Sequence, residues 1–204
     1  MKKTLIATAV AASVLAPISA QALNFSADGT GEALLYPYYN TNNGNATFIA
    51  VANTTGYTKV VKVRFREGVE SEDVLDFQLW LSPYDHWTAV MTRAGDTVRI
   101  NTADTSCTVP SLASGASLLP NRIAAAYTGD IGDRLSEGHV EIIEMAEVMN
   151  ATLPSGYMNL TTATTHVAGT PPNCAGLVGF NAANLATFLN GQELSGNNLI
   201  GSFY

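Results

Sequence analysis

Thr58 to Arg66, TKVVKVRFR, and Asp73 to Leu81, DVLDFQLWL, joined by the charged turn EGVESE, decide the fold class. In the first run Val61, Val63 and Phe65 fall on one face and Lys62, Arg64 and Arg66 on the other. In the second, Leu75, Phe77, Leu79 and Leu81 alternate with Asp76, Gln78 and Trp80. A period of two with one apolar face predicts half-buried antiparallel strands, and Gly68 in the short link predicts a hairpin.

The same reading extends outward. Ala46 to Ala52 (ATFIAVA) is an apolar run closed by the turn signal Asn53-Thr-Thr-Gly56. Gly31 to Tyr39 (GEALLYPYY) is a further run, and Pro37 requires it to be an edge strand or to finish there. After Ser82-Pro83, Tyr84 to Arg93 is strand-like, and Gly95-Asp96 turns the chain into TVRIN. Strands recurring at short intervals with polar turns between them predict a mainly β, antiparallel sandwich, Ig-like or jelly-roll-like.

Thr102 to Asp133 is rich in Ala, Ser, Thr, Gly and Pro, and it contains Cys107. It reads as a long insertion tethered by a disulfide to Cys174. The two cysteines are the only ones in the chain, and in an oxidising compartment an even pair forms a bridge. Closing a loop of that length contributes on the order of 4 kcal/mol in the chain-entropy account. Gly138 to Val148 (GHVEIIEMAEV) reads as a strand with Val140 and Ile142 inward, turning helical from Met145 to Asn150. Thr161 to Pro172 reads as a loop. Asn181 caps one short C-terminal helix, AANLATFLN, stopped by Gly191. For Asn198 to Tyr204 two readings stay open: a last strand docked into the sheet, or a chain cut short of its full length.

The first 22 residues, MKKTLIATAVAASVLAPISAQA, have the three parts of a secretory signal peptide. Lys2 and Lys3 are its positive region, Leu5 to Leu15 its uncharged core, and Ala20-Gln21-Ala22 its cleavage site, with cleavage expected after Ala22. The apolar run is too short to span a bilayer, and nothing downstream is a transmembrane run. The expected product is one domain, residues 23–204, secreted, periplasmic or on the cell surface. Without Lys2 and Lys3, eight cationic residues face seventeen Asp and Glu. That balance disfavours nucleic acid and anionic membranes, whose phosphates need cationic side chains.

The block from Gly31 to Thr88 resembles a group of exported bacterial proteins. The shared elements are Leu-Leu-Tyr-Pro-Tyr-Tyr (Leu34 to Tyr39), Asn-Thr-Thr (Asn53 to Thr55), Val-Lys-Val-Arg-Phe-Arg-Glu-Gly (Val61 to Gly68) and the block from Val74 to Trp87. Glu137 to Met145, EGHVEIIEM, fits the same group. The resemblance implies a secreted sandwich-like protein and carries no activity with it; members of the group are commonly longer.

Candidate chemistry is sparse. His139 and Glu141 share a strand face at i, i+2, half of a metal site or proton relay, but no HxH or HExxH completes it. His86 points outward if Trp87 faces the core, with Asp85 on the opposite face. His166 has only hydroxyl neighbours in sequence. No G-x-S-x-G elbow is present; Ser114 and Ser155 stand alone in loops. Glu137, Glu141, Glu144 and Glu147 are carboxylates available for glycoside chemistry, and they equally suit a solvated surface. Asn40 to Asn45 is oxygen-rich but lacks the acidic side chains that calcium favours. Asn-x-Thr triplets begin at Asn45, Asn53, Asn150 and Asn159. Most of Tyr36, Tyr38, Tyr39, Tyr84, Trp80 and Trp87 are expected in the core. No pattern asks for a metal or other cofactor, and no catalytic residue is assigned.

The expectation is therefore an exported, non-catalytic protein with a structural, adhesive or assembly role, its protein partners or its own copies engaged through sheet edges. The alternative is a secreted hydrolase or carbohydrate-active protein using His139, His86 and nearby carboxylates.

Overall fold

The computed structural model describes residues 26–123, 125–148 and 159–177, and the backbone of 199–203. The expected signal peptide and the helix after Asn181 lie outside the described residues.

The alternating runs form the strands their period predicts. They are β1 (Thr30–Gly31), β2 (Ala33–Asn40), β3 (Ala46–Asn53), β4 (Thr58–Glu67), β5 (Asp73–Leu81), β6 (His86–Ala94) and β7 (Thr97–Asn101). Within the insertion, β8 (Cys107–Val109), β9 (Ala116–Ser117) and helix α1 (Ile131–Leu135) give the stretch structure of its own. Then come β10 (Glu137–Val148), α2 (Leu160–Thr164), α3 (Cys174–Leu177) and β11 (Leu199–Phe203). Helix α2 corrects the loop reading of Thr161 onward: Asn159 caps it by accepting from the Thr162 amide at 2.9 Å.

Two antiparallel sheets form a sandwich. One has the order β1-β11-β3-β6-β7-β9, the other β2-β10-β4-β5-β8. The hairpin β4–β5 of the second sheet is thus inserted in sequence between β3 and β6, neighbours in the first. Inward side chains of both sheets form one core, Ile49, Trp87 and Met91 from the first against Val63, Phe77 and Ile142 from the second. Phe77 and Trp87 meet edge to face across it, with centroids 5.7 Å apart.

Pro37 is tolerated because β2 is an edge strand and because the ladder slips beside it. Tyr39 pairs with Gly138 and Tyr36 with Val140, so two residues of β2 oppose one of β10. Gly138 is required at that point, since a methyl group there would collide with the Arg66 carbonyl and the Tyr39 ring. At the end of the chain, Leu199–Phe203 forms a strand that pairs with β3 on one side and β1 on the other.

Strand β10 runs to Val148, which corrects the helical reading from Met145. A second register slip between Glu144 and Ala146 sets Met145 outside the pairing. The slip, not a helix, is what spoils the alternation in sequence. Trp80 lies on the face with Asp76 and Gln78, as its parity requires. That face is covered locally by α2 and α3, so Trp80 is fully buried with Val60, Val148, Leu160 and Leu177. The disulfide Cys107–Cys174 pins this cover to β8. Of the six aromatics singled out, Tyr36, Tyr39, Trp80 and Trp87 are core residues; Tyr38 and Tyr84 are exposed.

Candidate functional site at the loop end of the sandwich

The interleaved topology brings two of the crossings between the sheets, β3 to β4 and β5 to β6, to one end. The β3–β4 turn and the β5–β6 turn lie side by side: the Asn53 amide donates to the Asp85 carbonyl at 2.8 Å, and the Tyr84 amide to the Thr55 carbonyl at 3.0 Å. The Asn53 side chain is buried and donates to the carbonyls of Tyr57 and Ser82. Its amide is therefore a turn clamp and is not presented to a glycosylation enzyme.

A groove of about 530 Å³ opens here. Its walls come from the turn Ser82–Asp85 with His86, from the loop 103–105, and from Thr165, His166 and Gly169. The last wall is a tight turn in which Val167 pairs with Thr170, and Ala168 and Gly169 take left-handed backbone. Thr105 Oγ1 donates to the Gly169 carbonyl at 2.8 Å, joining two of the walls. The disulfide follows each of these walls closely in sequence, Cys107 after Ser106 and Cys174 after the turn, so it fixes their separation.

Asp85 organises the groove. Its Oδ2 accepts from the Ser82 amide at 3.1 Å and the Ser82 hydroxyl at 3.0 Å, and lies 3.4 Å from the Ser106 hydroxyl. Its Oδ1 accepts from the His86 amide at 2.9 Å. His166 Nδ1 lies 3.6 Å from Oδ2, outside a direct hydrogen bond. Asp104 Oδ1 takes the closer bond from Ser106 Oγ, at 2.6 Å. Two histidines, two carboxylates and two serines therefore converge, but each hydroxyl rests on a carboxylate. Among the described residues no serine hydroxyl donates to an imidazole, the contact that activates a serine nucleophile.

Asp85 corrects one expectation. It lies in the turn before β6, where strand alternation does not apply, and it lines the same groove as His86. His86 is exposed beside the buried Trp87, as its position in the strand requires. His139 is elsewhere: it lies on β10 in the other sheet, 3.8 Å from Glu141, which Arg66 holds at 3.0 Å. His139 and His86 do not share a pocket. Among the described residues no group of three or more His, Cys, Asp or Glu is placed to hold a metal.

The other acidic candidates are engaged. Glu137 accepts from Asn42 at 2.7 Å, on the short helical turn of Asn42–Gly44. Glu144 and Glu147 are buried against Lys59, which is itself fully buried. Burial in apolar surroundings pushes the Glu144 carboxyl above its usual range; Lys59 opposes that shift and Glu147 adds to it. Sequence held a signal for this cluster, since Lys59 is in phase with Val61, Val63 and Phe65. Glu67 and Arg134 form a second buried pair. Desolvation raises the Glu67 carboxyl, but Arg134 and the amides of Glu72, Val69 and Glu70 outweigh it and hold it at about 2. Both clusters are enclosed within the fold, and neither lines the groove.

Among the described residues no helix is long and apolar enough to cross a membrane. No protein-family model matches the chain, and comparison with curated proteins and with solved structures finds no match either.

Proposed function

We propose that this chain is an exported bacterial protein, cleaved after Ala22, that acts without catalysis as an adhesive binding module. Its loop-end groove is the recognition surface. One observation carries the reading: the groove gathers Ser82, Asp85, Asp104, His86 and His166, yet its serine hydroxyl, like that of Ser106 beside it, is locked onto a carboxylate. Such a site is rigid and polar, which suits binding, and it lacks an activated nucleophile.

Adhesion fits better than edge-to-edge assembly. Among the described residues the outer strands are short or interrupted: β1 and β9 have two residues each, β8 has three, and β2 carries Pro37 beside a register slip. Blunted edges of this kind discourage strand addition. The disulfide and the likeness of the Gly31–Thr88 block to exported proteins support the compartment.

The test is to express the full chain in a bacterium and identify the mature N-terminus by mass spectrometry. The purified product is then assayed on cell-envelope preparations and on ester, peptide and glycoside substrates. Retention on envelopes without turnover supports the reading. Turnover abolished by His166→Ala and Asp85→Asn would establish the second reading, a secreted hydrolase. The observation favouring that reading is the approach of His166 to Asp85, with His166 taking the place expected for His139.

A further inference from the structure

Tyr84 is out of place as a structural residue. It is 74 % exposed, and its backbone lies in the left-handed region at φ +57°. For a bulky side chain that conformation is an outlier with a cost, and glycine or asparagine would occupy it more easily. The fold recovers little burial from the ring. Its position is nonetheless fixed: the Tyr84 amide is bonded to Thr55, and the hydroxyl end of the ring rests against Gly56, where even an added methyl would touch it. A strained residue that holds an aromatic ring out in solvent over a groove points to a ligand.

The surface beyond the groove has the matching chemistry. His86, Thr88 and Val90 share the outer face of their sheet, where Phe48 lies directly opposite Val90 and is 55 % exposed. A second depression, of about 520 Å³, runs along Phe48, Ala50, Thr88, Val90, Asn101 and Thr102. It meets the groove at Ala103, which lines both. Each depression has the size of a small-ligand site. Neither is lined by a lysine or arginine, so neither suits a phosphate, sulfate or carboxylate. The carboxylates of the groove already accept several hydrogen bonds, which weakens them as partners for a free cation. What remains is a track whose groove carries hydroxyl and imidazole groups, whose second depression is mainly apolar with Thr88, Asn101 and Thr102 along it, and which has the exposed rings of Tyr84 and Phe48. The opposite face of the sandwich is different in kind, with Lys62–Asp76, Arg64–Asp73 and Arg66–Glu141 ion-paired across it.

We infer that this track binds a neutral oligosaccharide, with one sugar ring packed on Tyr84 and its hydroxyls bonded to Asp104, Thr105 and His166, and a later ring on Phe48. A pyranose offers an apolar C–H face to an aromatic ring and hydroxyls that donate and accept, and the track presents partners for both. The inference rests on the adhesive reading and gives it a ligand class.

The experiment is calorimetric titration of the oxidised, signal-processed protein with cellohexaose, maltohexaose, xylohexaose and chitohexaose, alongside retention on envelope preparations. At least one hexasaccharide binds with a sub-millimolar Kd. Tyr84→Asn raises that Kd at least tenfold without lowering Tm, whereas Tyr84→Phe keeps the affinity. Phe48→Ala weakens the hexasaccharide but not the matching disaccharide. If none of the four binds at millimolar concentration, or if binding ignores both Tyr84→Asn and Phe48→Ala, the inference falls. Retention on envelopes that Tyr84→Asn abolishes and no hexasaccharide competes away would sink the sugar inference alone. Loss of retention altogether would sink the adhesive reading with it.

Discussion

Arg134 grips Glu67 at two points inside the protein, Nε on Oε2 and Nη2 on Oε1, both at 2.9 Å. Arg134 comes from α1, which closes the insertion, and Glu67 from the end of β4, so the pair fastens the end of the insertion to the sheet. Glu67 also receives the amides of Val69, Glu70 and Glu72, and thereby shapes the β4–β5 turn. Removing one partner of a buried pair leaves a charge without compensation. Arg134→Met is therefore expected to cost about 3–5 kcal/mol, read from the midpoint of urea unfolding.

The same pair sets an acid limit. The Glu67 carboxyl is held at about 2 in the folded state, below its unfolded value of about 4.3. A depressed carboxylate contributes stability that is present above the unfolded pKa and lost as pH falls through the folded one. Stability should decline between roughly pH 5 and pH 2, and Glu67→Gln should flatten that slope while lowering stability at neutral pH. Unfolding followed by Trp fluorescence across that range reads both.

Lys59 lies between Glu144 and Glu147 with no exposure of its own. Lys59→Met strands two buried carboxylates and is expected to destabilise by about 3–5 kcal/mol. Glu144→Gln keeps the Lys59–Glu147 pair and should cost far less. Because the Glu144 carboxyl is pushed up, its unfavourable ionisation grows as pH rises above the ordinary carboxylate range. The cost of Glu144→Gln should therefore be smaller at pH 8 than at pH 5, checked by thermal unfolding at both.

The disulfide joins residues 67 apart in sequence. Cys107→Ser with Cys174→Ser should lose about 4 kcal/mol on the chain-entropy estimate. It should also loosen the groove, since Asp104–Ser106 and His166–Gly169 are the segments the bridge holds in place. Protease digestion of the double variant should cut first in these two loops, with the sheets protected.

Pro37 has no backbone amide to donate, so the edge strand β2 lacks one hydrogen-bond donor. Pro37→Val restores a donor to an eight-residue edge that already exposes Leu35 and Tyr38. Concentration-dependent association should rise, read as native mass by light scattering. An unchanged native mass would show that the register slip alone blunts the edge.

The strands were legible because period-two alternation reports directly which face meets the core. Val61, Val63 and Phe65 sit where their parity puts them. Legibility ended where pairing slips: Met145 shifts the phase of β10, and a phase shift looks like a change of structure from one sequence. Trp80 was placed on the correct face, but nothing local shows that α2 and α3 cover it. The groove was hidden for the same reason. Asp85, Asp104 and His166 are far apart in sequence and meet only because the two crossings and the disulfide share one end. Ser82 and Asp85, three residues apart around Pro83, were the one local hint of a locked turn.

The long strand β10 has a consequence in time. It lies between β2 and β4, and its own residues come well after both. A chain that emerges N-terminus first can close the β4–β5 hairpin early, but β2 then has no neighbour in its sheet and Lys59 has no carboxylate. Both wait for residues 137–148. Pairings this distant in sequence form slowly. This sheet therefore stays incomplete until residues 137–148 have been made, so its closure comes late in the life of the emerging chain.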